Sequence, residues 1–380
     1  MRGFYEFFAG GGMARAGLGQ GWNCLFANDL DPKKAAAYTS NWGKDDLFVG
    51  DVATVTTDQL PSAPDLAWAS FPCQDLSLAG DYAGLSGNRS GTFWPFWKLM
   101  KALMSEGRGP RAIVLENVYG AITSNDGKDF QAIAEAFSNA GYTFGAMVMD
   151  ARLWVPQSRP RLFFVGLRGD VVFPEEIFSA EANEWHPRAL VDAAEGMSKA
   201  AQNRWVWWNP SAPAKRNVNF IDVIEETPKG CVWHSKEETD YLVSLMAPLN
   251  LTKLENAVAE TKTNKSRKVG GLYRRTRYGQ QRAEIRFDDI AGCLRTPSGG
   301  SSRQTIMLVE NGNVRSRLLS PREAARLMGL PDDYRLPERY NDAYHVCGDG
   351  VAVPVVRHLA ETLIEPILNY ASISYLVAAE

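Results

Sequence analysis

The chain has 380 residues, 45% of them hydrophobic and 22% charged, as in an ordinary globular protein, and its formal net charge of −3 predicts no polyanion partner from global charge. No apolar run reaches the ~20 residues a membrane-spanning helix needs, and the N-terminal stretch turns acidic too early for a signal peptide. Five scattered cysteines without a Cys-x-x-Cys pair, and only four histidines, argue against a disulfide framework or a zinc site and for a reducing cytoplasm.

Strands are expected at Phe4–Phe8, Asn23–Ala27, Leu47–Val49, Leu66–Ala69, Ala112–Leu115, Phe144–Met149 and Leu162–Gly166. Helices are expected near 12–20, 32–42, 93–106 and 128–140. Strands alternating with helices predict an α/β fold, a doubly wound, mostly parallel sheet with helices on both faces. From about 169 to 317 the rhythm breaks, with five tryptophans (185, 205, 207, 208, 233) and a block from Lys262 to Arg286 carrying nine basic residues against Glu284. Such a block is a solvated loop or a nucleic-acid contact. Ser320-Pro321-Arg322-Glu323 reads as an N-cap, a first-turn proline and a capping box, and Gly329 as the helix end. Val353 to Leu368 is apolar at helical spacing and reads as a core-packed helix able to cover the first domain's sheet.

The chemistry-bearing residues fall at strand ends. The first strand runs into Phe8-Ala9-Gly10-Gly11-Gly12, a turn that lets backbone approach a ligand and that leads to a helix start with free N–H groups. A strict Gly-x-Gly-x-x-Gly is absent, which disfavours pyrophosphate; a ligand-free tight turn is the plain alternative. Asp29 follows the second strand and suits ribose hydroxyls, whereas Asp31 before Pro32 reads as a helix cap. Asp51 follows the third and suits a purine amine. Glycines, a ribose acid and an adenine acid after successive strands fit S-adenosylmethionine better than NAD.

Cys73 in Pro72-Cys73-Gln74 follows the strand Leu66–Ala69, where a thiol is placed to attack a ligand; a small buried hydrophobe is the alternative. Glu116 ends the strand from Ala112 at the same sheet edge; a carboxyl pressed against a base can stay protonated and donate to a ring nitrogen, and a turn or cap is the alternative. Arg159 and Arg161 alternate, so both can point to one side, toward phosphate, a carbonyl or Glu116.

In order, Phe8-Ala9-Gly10-x-Gly12, Phe71-Pro72-Cys73-Gln74, Glu116-Asn117-Val118, Gln157-x-Arg159-x-Arg161, Arg295-Thr-Pro-Ser298-Gly299-Gly300 and Gly348-Asp349-Gly350-Val351 resemble the cytosine-5 DNA methyltransferase family, of the single-chain bacterial or phage type. The resemblance implies an S-adenosylmethionine-dependent methyltransferase fold with a catalytic domain at 1–168 plus 341–380, a target recognition domain at 169–317 and a hinge segment at 318–340. It implies transfer of a methyl group to C5 of a flipped-out cytosine in a specific duplex DNA sequence, through a covalent bond from Cys73 to C6. Cys73, Glu116, Arg159 and Arg161 would be catalytic. Phe8, Ala9, Gly10, Gly12, Asp29, Leu30, Asp51, Val52, Pro72 and Asp349 would hold the cofactor. Gln74, Ser77, Arg274, Arg275, Arg277, Arg295, Ser298, Gly299 and Gly300 would meet DNA. A cytoplasmic monomer is implied, without metal or membrane, and with a cognate restriction endonuclease as a functional rather than physical partner. Glu6, Met13 and Asp349 depart from the family's Asp, Gly and Asn. The rival readings are a tRNA cytosine-5 methyltransferase, a catalytically weak DNA-binding relative and a nucleotide-dependent oxidoreductase.

Overall fold

The computed structural model describes residues 1–72, 92–277, 279–295 and 303–379. The chain divides into two compact units, one of residues 1–150, 160–213 and 355–380, the other of 151–159 and 214–354.

The first unit is built on seven strands: β1 (Arg2–Phe7), β2 (Trp22–Asp29), β3 (Leu47–Val49), β4 (Leu66–Ala69), β5 (Ala112–Val118), β6 (Thr143–Asp150) and β7 (Pro160–Leu167). Four helices interleave with them: α1 (Met13–Leu18), α2 (Pro32–Trp42), α3 (Phe93–Ser105) and α4 (Lys128–Asn139). The sheet order is β3-β2-β1-β4-β5-β7-β6, parallel except for β7, which runs antiparallel to both neighbours. The order reverses between β1 and β4, so the carboxyl ends of those strands open on the crevice where such sheets bind ligands.

Alternation places side chains on the two faces of the sheet. On one, Tyr5, Phe7, Phe26, Ala69, Leu115 and Phe164 join Phe96, Trp97, Met100 and Phe137 of α3 and α4 in a core. Phe7 packs edge-on to Phe96, with ring centroids 5.1 Å apart. Each fully buried ring of this kind stabilises by roughly 1.5–3 kcal/mol. Asp31 caps α2 by accepting from Lys33 N at 2.8 Å, with Pro32 in the first turn, as the sequence predicts.

Residues 169–213 also pack in this unit. They include β8 (Phe178–Ser179), α5 (Arg188–Glu195), α6 (Lys199–Gln202) and β9 (Trp207–Trp208). Phe144 N donates to Arg204 O and Val206 N to Phe144 O, so this segment covers the edge strand β6 that would otherwise stand open to pairing. Trp208 Nε1 donates to Val165 O at 3.1 Å.

The second unit holds α7 (Lys236–Ser244), α8 (Pro248–Asn264) and an antiparallel sheet of β10 (Arg267–Arg277), β11 (Gln280–Arg286), β12 (Thr305–Glu310) and β13 (Asn313–Leu318), ordered β11-β10-β12-β13. Leu242 of α7, Leu254 of α8 and Met246 between them bury against Leu272, Ala283, Ile285 and Met307. The helix α9 (Pro321–Leu327) starts with the expected capping box. Its Glu323 is fully buried and takes a bidentate pair from Arg317 at 2.6 and 2.7 Å, plus the N–H groups of Ser320 and Glu225. Then come α10 (Tyr340–Asp349) and α11 (Val353–Leu359). A π-helical turn, Ala360–Ile364, leads into α12 (Glu365–Ala379); the single helix expected from 353 to 368 is interrupted there. Trp22 Nε1 donates to Glu365 Oε1 at 2.9 Å, tying α12 to β2.

Candidate active site

The turn after β1 is left-handed at Phe8 (φ 58°), Gly10 (φ 56°) and Gly12 (φ 75°). Phe8 therefore leaves the strand rather than ending it as expected; a non-glycine residue held there costs of order 1 kcal/mol and marks a constrained site. Its ring rests against Phe71, at 6.4 Å between centroids.

Two carboxylates hold the turn. Asp29 accepts from Gly10 N at 2.7 Å and from Asp31 N at 2.8 Å. Burial raises its pKa, and the two backbone donors restrain the rise. Glu6, on the opposite face of β1 from the aromatic core, is 1% exposed. Its Oε1 accepts from Arg15 N at 3.2 Å, while its Oε2 has no partner. Burial pushes Glu6 up to about 8. Of the N–H groups expected free at the start of the following helix, Gly12 N is held by Ala9 O and Arg15 N by Glu6, and α1 is only six residues long. Met13, where a glycine was the family expectation, is buried.

The two glycines differ. A Cβ on Gly12 would lie 2.3 Å from Trp42 Nε1, so Gly12 serves close packing. A Cβ on Gly10 would meet nothing within 4 Å, so Gly10 borders open space. Leu30, just past β2, and Val49, the last residue of β3, are exposed apolar groups (67% and 49%). Asp51 is exposed between the third strand and a short turn, with Oδ1 accepting from Ala53 N at 2.9 Å; Val52 is buried. Open space at Gly10, a pinned carboxylate at Asp29 and exposed apolar groups beside Asp51 fit a nucleoside-bearing cofactor.

At the carboxyl end of β4, Phe71 is buried, Pro72 is exposed, and Cys73, Gln74 and Ser77 lie outside the described residues. Asn117 Nδ2 donates to Phe71 O at 3.1 Å, fixing the backbone two residues before Cys73 to the end of β5. Glu116, next to Asn117, is 6% exposed and pairs with Arg161, Nε to Oε1 at 3.1 Å. The antiparallel register sets Arg161 opposite Val118, the diagonal neighbour of Glu116, and this explains the pair.

Arg159 does not share that partner, because it precedes β7 and the expected alternation starts only inside the strand. It is 2% exposed and donates to Leu294 O (3.1 Å), Gly348 O (2.7 Å) and Gly350 O (2.7 Å), all in the second unit. Gln157 works beside it, donating to Leu327 O and accepting from Leu294 N. Arg295 and Asp349 are exposed, the latter at the end of α10; Ser298, Gly299 and Gly300 lie outside the described residues.

The basic block is less uniform than its composition. Arg267, Lys268 and Arg286 pair with Glu226, Glu260 and Asp288, which lie outside the block in sequence. Arg274, Arg275 and Arg282 are exposed toward the hairpin tip; the side chain of Arg277 is outside the described residues. The sequence named Glu6 as a departure from the family but did not show that its carboxyl is buried against Arg15 N; Arg282 sat in the basic block without distinction, and the strand register sets it opposite Arg275.

A mostly parallel seven-stranded sheet with one reversed strand and helices on its faces is the fold of a doubly wound methyltransferase. Among solved structures it is similar to the Dnmt2 methyltransferase of S. pombe (TM-score 0.59, 16% identity, 97% of this chain and 99% of that one). It is also similar to the Entamoeba histolytica methyltransferase EhMeth (TM-score 0.55, 14% identity, 96% and 98%). Curated relatives include the Type II methyltransferases M.NlaX of Neisseria lactamica (26% identical, 94% of this chain and 95% of the relative) and M.HhaI of Haemophilus parahaemolyticus (24%, 94% and 92%). The family model for C-5 cytosine-specific DNA methylases matches residues 3–365, and the chain belongs to that family of DNA cytosine-5 methyltransferases.

Proposed function

We propose that the chain methylates C5 of a flipped-out cytosine in a specific duplex DNA sequence, with S-adenosylmethionine as the methyl donor, as the modifying partner of a Type II restriction system. The observation that carries this reading is the Glu116–Arg161 pair, standing beside an Asn117 that fixes the backbone leading into Cys73.

Phe8, Gly10, Asp29, Leu30 and Asp51 would hold the cofactor, which when bound supplies an electrophilic methyl group on a sulfonium. Cys73 would add to C6 of the cytosine, making C5 nucleophilic. Glu116 would hydrogen-bond N3 and the exocyclic amine, stabilising charge as it develops on the ring, and Arg161 would donate to O2. Each such contribution is typically worth ~10²–10⁴-fold. Loss of the C5 proton would then expel the thiolate. Arg159 suits a different role. Its fork is spent on three backbone carbonyls, so it would hold the segments around Leu294 and Gly348 rather than touch substrate. The base must leave the stack to reach a thiol, at a cost of a few kcal/mol. The region 169–317, which includes the basic hairpin, would bind the duplex that offsets it.

A duplex carrying 5-fluorocytosine at the target cannot lose its C5 substituent as a proton. Incubation with cofactor should leave a permanent adduct on the peptide containing Cys73, seen by mass spectrometry. A folded, cofactor-loaded chain that forms none would overturn the covalent route. Running tRNA in parallel tests the RNA reading.

A further inference from the structure

The hairpin of β10 and β11 is longer than the sheet it belongs to. Among the described residues β12 pairs with β10 from Arg267 to Leu272 and no farther, while β10 and β11 stay paired out to Arg277 opposite Gln280. Residues 273–277 and 280–284 therefore make a two-stranded ribbon, turned at Gly279 (φ 74°). A two-stranded ribbon has little stability of its own, so its length needs another reason.

Its charges point to one. At the root the basic residues are answered within the unit: Arg267 by Glu226, Lys268 by Glu260, Arg286 by Asp288. On the ribbon four arginines stand against one glutamate, and the register sets Arg275 directly opposite Arg282. Like charges directly opposite destabilise a strand pair. Glu284 answers one of the two, lying 3.4 Å from Arg275, whose side chain stays half exposed. Arg282 instead donates from Nη2 to the neutral Gln280 Oε1 at 2.6 Å. That bond orients a guanidinium without neutralising it.

Faces follow from the alternation. Leu272, Ala283 and Ile285 turn into the core of the unit. Gln280, Arg282 and Arg275 share the other face, and Arg282 is exposed. A β-ribbon is narrow enough for the major groove of B-DNA, and an arginine fork matches the O6 and N7 acceptors of guanine.

We propose that this face of the ribbon enters the major groove of the target duplex, and that Arg282, steered by Gln280, reads a guanine in the recognised sequence, with Arg275 beside it. This rests on the reading of the chain as a duplex DNA methyltransferase. The duplex supplies the anionic partner that Arg282 lacks among the described residues.

The test is methylation of a randomised duplex library by the purified full-length chain, read by bisulfite sequencing. Wild type is compared with Arg282→Ala, Arg282→Lys and, as an exposed cation outside the ribbon, Lys253→Ala. Circular dichroism checks that each variant is folded. Both Arg282 variants should still methylate but lose discrimination at one guanine position, by roughly 5- to 150-fold. The lysine keeps the charge and lacks the fork, so it should relax the same position. Lys253→Ala should keep the wild-type word. A wild type that methylates while both Arg282 variants keep its word overturns the proposal alone. So does a uniform loss over all words with a shallower salt dependence, which marks a phosphate contact. A wild type that methylates no duplex overturns the underlying reading and this proposal with it.

Discussion

Glu6→Gln tests the buried acid beneath the turn after β1. Glu6 is fully enclosed, one of its oxygens has no partner, and burial pushes it up to about 8. The folded chain therefore holds it neutral at pH 7, whereas the unfolded chain ionises it above about 4.5. A raised acid pKa means that stability from this group is complete below 4.5 and lost as pH rises toward 8. The slope is about 1.36 kcal/mol per pH unit, so at pH 7 the loss is on the order of 3 kcal/mol. Glutamine has the size of the neutral acid, keeps an oxygen for Arg15 N and never ionises. Glu6→Gln should match wild type near pH 4.5, gain about 1.4 kcal/mol per pH unit above that, and level off past pH 8. Urea titrations at about pH 5, 6, 7, 8 and 9 would measure it, with hydrogen exchange of peptides spanning β1 reporting on the first unit alone. A difference that does not change with pH would refute the reasoning, because Glu6 would then have the same charge in both states.

Gly10→Ala and Gly12→Ala should separate ligand approach from packing. The first borders open space and should cost about 1 kcal/mol from its left-handed backbone yet weaken cofactor binding by calorimetry; the second meets Trp42 and should lower the melting temperature far more. Arg159→Met strands three buried carbonyls and should cost about 3 kcal/mol or more, with Arg159→Lys in between, read by thermal unfolding. Glu116→Gln should slow methylation about 10²–10⁴-fold in single-turnover assays while leaving duplex binding; an unchanged rate removes Glu116 from the chemistry. Cys73→Ser should lose transfer by several orders of magnitude and still bind duplex in a gel-shift assay.

The strands were legible because apolar runs such as Leu66–Ala69 and Ala112–Leu115 are short and end at turns or polar residues. The caps at Asp31 and Ser320 were legible because capping is a local hydrogen-bond problem. The reversal of β7 was not read, although its cause is visible: residues 151–159 between β6 and β7 are too few for the crossover that parallel neighbours need, so β7 pairs antiparallel. The destination of Trp205 and Trp208 was hidden, because an aromatic run says that something is to be buried and not against what; here it closes the edge of β6. Arg159 and Arg161 looked equivalent by spacing. They differ because one lies inside a strand, diagonal to Glu116, and the other lies before it, among free carbonyls.

Two carboxylates adjoin the turn after β1. Asp29 and Glu6 sit at the ends of adjacent strands, and the Asp29 charge raises the cost of charging Glu6. Burial raises both pKa values and backbone donors oppose it at each, Gly10 and Asp31 at Asp29, Arg15 and Ala14 at Glu6. At Glu6, fully enclosed and with one oxygen lacking a hydrogen bond, burial prevails and pushes the carboxyl up to about 8. The Glu6 carboxyl meets Arg15 N at the first turn of α1. A shorter acid at position 6 would release Arg15 N and loosen the turn that presents Gly10.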